Sequence, residues 1–130
     1  MEWEAGQGHY PYQATIDAYG DGGFRFAEMS HKGSLICLPG GMYAWEIATA
    51  SGISATTLER AYAAAEEIDV LLIGLGADIA AIDPAIRVAF KEKGVIVEAV
   101  STGSAVRTYN VLLAEKRAVG AALIAVDKAR

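Results

Sequence analysis

The chain has 130 residues, 53% of them hydrophobic, and its 11 Lys and Arg against 16 Asp and Glu give a net charge of −5. A single folded domain with a real core fits that size and apolar content, whereas the acidic balance argues against nucleic acid or an anionic lipid surface as partner. One cysteine, Cys37, excludes an internal disulfide. The apolar stretch at 118–126 is far shorter than the roughly 20 residues a membrane-spanning helix needs. Glu2 and Glu4 stand where a signal peptide would be basic, so a cytoplasmic domain is expected.

Residues 1–13 lack any hydrophobic period and are expected to form a flexible N-terminal arm ahead of one domain over 14–130. ATIDAY and FRFAEM read as strands around the turn Gly20-Asp21-Gly22-Gly23. SLICL and MYAWEI are a second pair of strands around Pro39-Gly40-Gly41. The pattern then changes. Thr56 and Glu59 fit a capping box for a helix over 57–67. DVLLIGL is a strand, and Asp83-Pro84 opens a helix that ends at Gly94. GVIVEAV is the next strand, 104–116 the next helix and 119–126 the last strand. Alternation of helices with fully apolar strands predicts an α/β domain around a mostly parallel sheet covered on both faces.

Taken in order, DAYGDGGF, LPGGMYAW, VLLIGLG, GVIVE, AVRTYN and EKRAVGAAL resemble the small domain family of largely unknown function that includes mitochondrial complex I assembly factor 3 and the adipogenesis-associated domain protein. The resemblance covers residues 14–126. It implies a single three-layer domain, with a mixed five-stranded sheet, flanking helices and an additional small N-terminal sheet. It implies no established enzymatic activity.

Gly74-Leu75-Gly76 follows a strand, but Ile79 replaces the third glycine of a dinucleotide fingerprint and Asp78 would set a negative charge beside phosphate. These glycines instead suit a close-packed strand end. With Thr102, Gly103, Ser104, Arg107, Thr108 and Asn110 they form a candidate anion or ligand site, because helix starts beyond strand ends present backbone N–H groups. The competing reading is that Thr102 or Ser104 merely caps the helix. Val106, Tyr109, Leu112 and Leu113 share helical spacing and read as core. Trp45 and Met42 are core candidates that also suit a partner surface.

Cys37, inside Leu35–Leu38, reads as a small buried hydrophobe. His9, His31 and Cys37 lack zinc spacing, and Asp17 and Asp21 make no calcium loop. No cofactor is expected. The expected function is noncatalytic protein interaction or assembly, with a protein partner or self-association. The alternative is small-anion or metabolite binding, with or without catalysis, at 101–108.

Overall fold

The computed structural model describes residues 2–3, 9–77 and 80–128. Within them the chain forms β1 (Glu2–Trp3), β2 (His9–Tyr10), β3 (Ala18–Gly20), β4 (Gly23–Phe26), β5 (Met29–Lys32), β6 (Ser34–Leu38) and β7 (Gly41–Trp45). There follow α1 (Glu59–Ala63), β8 (Val70–Gly74), α2 (Pro84–Glu92), β9 (Ile96–Val100), α3 (Thr102–Ala114) and β10 (Val119–Leu123). The main sheet has the order β2-β7-β6-β10-β8-β9. Its β8 is parallel to both β9 and β10, and its β6 is antiparallel to β10 and β7. A smaller sheet has the order β1-β5-β4-β3. This is the mixed sheet with an additional small sheet that the resemblance implies, and β1 and β2 add two-residue edges to the two sheets. The expectation that it is mostly parallel is corrected, since the β2, β7, β6 and β10 pairings are antiparallel and only those of β8 are parallel.

Period-two alternation sends neighbouring strand side chains to opposite faces, and both faces are covered. Ile36, Leu38, Leu71, Ile73 and Ala122 pack with Leu58, Ala61, Ile86 and Phe90 from the α1 and α2 region. Leu35, Cys37, Leu72, Ala121 and Leu123 pack against Ala105, Val106 and Tyr109 of α3 and Phe24, Phe26 and Met29 of the small sheet. The layers are therefore α1 and α2, the main sheet, then α3 beside the small sheet.

The ends of α2 are those expected. The Asp83 carboxylate accepts from the Ala85 N–H at 2.9 Å, and Gly94 lies just past the last cap with φ +83. Two other expectations are corrected. The capping box at Thr56 and Glu59 does not form, because Ser54 and Thr57 make the reciprocal pair instead. The Ser54 N–H donates to Thr57 Oγ1 at 2.8 Å, and the Thr57 N–H donates to Ser54 Oγ at 3.2 Å. Regular helix begins only at Glu59, and the segment finishes as a 3-10 turn at Ala65–Glu67. FRFAEM is likewise two strands rather than one. It folds at Ala27 and Glu28, whose φ values of 50 and 65 make a tight turn that brings Phe26 opposite Met29, both facing the core.

The small sheet is joined to the main one by polar contacts. The N–H groups of Asp21 and Gly22 donate to the carbonyls of Asp127 and Val126 at 2.7 and 2.9 Å. Within the main sheet, at the same corner, the Ser34 hydroxyl accepts from the Ala125 N–H at 2.9 Å. The buried His31 donates its Nε2–H to the Ser34 carbonyl at 2.9 Å. Burial lowers the His31 pKa from 6.5, against a smaller upward pull from that hydrogen bond. The unfolded chain therefore takes up the proton first, and stability should fall as pH drops below about 6.5 toward the lowered folded value. Urea unfolding at about pH 7.5 and about pH 5.5 measures this, and His31→Gln should flatten that part of the slope.

Candidate functional site

The chain leaving β8 enters α2 on one face of the sheet, and the chain leaving the adjacent parallel β9 enters α3 on the other. Such a divergence opens a crevice beyond the strand ends, where α/β proteins commonly hold ligands. Here the crevice is filled by Thr102. The cap of α3 is Ser101, whose side chain accepts from the Ser104 N–H at 3.3 Å, rather than Thr102 or Ser104. Thr102 is thus the first helical residue, and it is fully buried.

Its polar groups are committed within the chain. The Thr102 N–H donates to the Gly76 carbonyl at 2.9 Å, and the Gly76 N–H returns a bond to Thr102 Oγ1 at 3.0 Å. The Thr102 hydroxyl donates to the Ile124 carbonyl at 2.7 Å. Both glycines of the strand end are explained by this contact. A Cβ on Gly74 would lie 2.9 Å from Thr102 Cα and 3.2 Å from Leu123 Cδ2, so Thr102 seats only against bare backbone. Gly76 has φ +101, a conformation in which other residues are strained.

The remaining predicted residues separate into three places. Gly103 is buried in the first turn, while Arg107 and Thr108 are exposed on the outer side of α3. Arg107 Nη2 donates to Ser104 Oγ at 3.3 Å. Asn110 faces the N-terminal side of the domain. Its carboxamide accepts from the Ile16 N–H and donates to the Ile16 carbonyl, both at 2.8 Å, as a second strand would. Beside it, the Tyr109 hydroxyl donates to the Ala14 carbonyl at 2.7 Å, and Gln13 Nε2 donates to the Val119 carbonyl at 2.7 Å. Gln13, Tyr109 and Asn110 therefore strap residues 13–16 across α3 and β10.

Met42 and Trp45 take the core alternative. Met42 is fully buried with its sulfur 4.0 Å from the Tyr109 hydroxyl, and Trp45 is 5% exposed with its indole N–H donating to the Thr57 carbonyl at 2.8 Å. Neither presents a partner surface. Burial pushes the Cys37 thiol and the Tyr109 phenol well above their ordinary pKa values, so neither ionises as a nucleophile near neutral pH. Asp78 and Ile79 lie outside the described residues. Beyond Gly76 a shallow cleft of about 660 Å³ opens between residues 48–50 and 124–128, walled mainly by small side chains.

Removing the bridging hydroxyl tests the assignment. Thr102→Val keeps the shape but strands the Gly76 N–H and the Ile124 carbonyl, and should cost about 2–5 kcal/mol in urea unfolding. Thr102→Ser keeps the hydroxyl and should cost about 1 kcal/mol. Asn110→Ala should cost about 2–4 kcal/mol by leaving both polar groups of Ile16 without their carboxamide.

Comparisons agree with this architecture. The chain is 42% identical to an uncharacterised protein of Rhodobacter capsulatus over 109 residues, 84% of this chain and 82% of that one. It is 27% identical to NADH dehydrogenase [ubiquinone] 1 alpha subcomplex assembly factor 3 of mouse over 91% of this chain, and spans 64% of that protein's length. A crystal structure described as an outer membrane protein from Bartonella henselae superposes with a TM-score of 0.86 at 47% identity, covering 90% of this chain and 98% of that one. A Mth938-like domain from Bordetella pertussis superposes at 0.77 with 28% identity, covering 89% and 87%. With a family model matching residues 16–124, the chain belongs to the family described as protein of unknown function (DUF498/DUF598).

Proposed function

We propose that this domain is a noncatalytic protein-interaction or assembly-type factor acting in the cytoplasm. The observation that carries the proposal is the filled crevice: where an α/β sheet would offer a ligand its strand ends and helix amides, Thr102 uses them internally. Its relation to proteins named as assembly factors supports the same reading. Among the described residues, the groups with nucleophilic or acid–base character nearest the core, Cys37, Tyr109 and His31, are buried in packing and hydrogen-bonding roles.

A second reading, a small anion at the start of α3, has one observation in its favour. Arg107 and Thr108 are exposed within the first two turns, near the positive end of the helix dipole. Thermal unfolding in sulfate or phosphate, against chloride at matched ionic strength, separates the two. The interaction reading expects no stabilisation beyond chloride. A bound anion would add about 2.7 kcal/mol at 100 times its Kd, and Arg107→Ala would remove much of that gain while leaving ligand-free stability nearly unchanged. For the interaction reading, affinity capture on the intact chain should return a partner that captures this chain in turn. Reproducible turnover in a hydrolase, transferase or oxidoreductase panel, lost on Arg107→Ala in a folded protein, would overturn it.

A further inference from the structure

One outer strand of the main sheet, β9, carries a device that none of the preceding roles uses. It pairs with β8 on one side, and among the described residues no strand lies on the other. The Ile96 N–H donates to the Asp69 carbonyl and the Val100 carbonyl accepts from the Leu75 N–H, so residues 96, 98 and 100 aim their peptide groups at β8. Val97 and Ala99 aim theirs outward. Such a row, in the β-prone run Val-Ile-Val, is a template for another strand. At its middle, Arg87 reaches over from α2 and donates Nη1–H to the Val97 carbonyl at 2.6 Å.

We propose that Arg87 guards this edge against antiparallel pairing with β9 of a second copy. The self-complementarity of the strand argues for that occupant. A two-fold pair centred on Glu98 would set the two carboxylates opposite each other, which is unfavourable. One centred on Ala99 would run the partner strand into Ser101, where the chain turns into α3. Centring on Val97 places Ile96 opposite Glu98, with no like charges facing, and has the two Val97 residues exchange both of their peptide hydrogen bonds. That register requires the carbonyl that Arg87 occupies. It would also bring two guanidinium groups to the symmetry axis. Ile96 is 64% exposed on the strand, so pairing would cover an apolar side chain that now faces water.

The test is sedimentation of the intact chain and its variants at equal concentrations. Arg87→Ala should strengthen self-association over wild type by at least about tenfold in Kd. Hydrogen exchange at the Val97 and Ala99 amides should slow with it. Adding Ile96→Glu, which sets a carboxylate opposite Glu98 at an exposed position, should return the wild-type mass. The proposal is overturned if folded Arg87→Ala sediments as wild type does, or if Ile96→Glu leaves its association unchanged. Loss of the fold in Arg87→Ala would also overturn it, by assigning Arg87 to helix–strand packing. Ile96→Glu alone should keep the wild-type mass and spectrum.

Discussion

A single hydroxyl group joins the ends of three strands. Thr102 follows β9, accepts from the Gly76 N–H just beyond β8 and donates to the carbonyl just beyond β10. A hydroxyl serves there because it is donor and acceptor at once, and the site asks for one of each. Much else in the neighbourhood follows from seating that side chain. Gly74 lacks a Cβ so that Thr102 can approach, Gly76 turns back to meet it, and the cap moves to Ser101. The polar groups at these strand ends are thereby used inside the chain. In this domain the polar atoms that related architectures present to ligands hold the sheet together.

The parts of this arrangement that were legible in sequence are those set by local chemistry. Asp83-Pro84 and Gly94 mark α2 because a cap, a fixed φ and a left-handed stop are properties of a few adjacent residues. The apolar strands declare their burial in the same way. The fold at Ala27 and Glu28 was not legible, since neither residue favours positive φ; the pairing of Phe26 with Met29 across the hairpin imposes it. Thr102 was ambiguous for a different reason. In S-T-G-S any of the three hydroxyl residues suits a cap, and only the packed sheet decides which one turns inward.

Asn110 shows the same limit at long range. Its amide was a natural ligand group by type, but its partner is the backbone of Ile16, which no local pattern indicates. Trp45 and Met42 illustrate the converse: large apolar residues on a strand fit either a core or an interface, and the α1 side and Tyr109 respectively cover them. Residue type identified the groups that matter, and tertiary contact determined their use.

The place of β10 in the sheet has a consequence for how the chain comes to be folded as it is made. Synthesis runs from the N-terminal end, so the earlier strands are available to pair first, although a domain folds as a unit. The hairpin of β6 and β7 and the pair β8 and β9 can each form early, but they are not neighbours: β10, which follows all four in the chain, stands between them. Until it arrives, β6 and β8 each present an open apolar edge, and the small sheet lacks the carbonyls of residues 126 and 127 to which its turn is tied. Closure is therefore a late, nearly simultaneous event. A nascent chain of this kind passes through a stage with two exposed inner edges, where protection by a ribosome-associated chaperone would matter most.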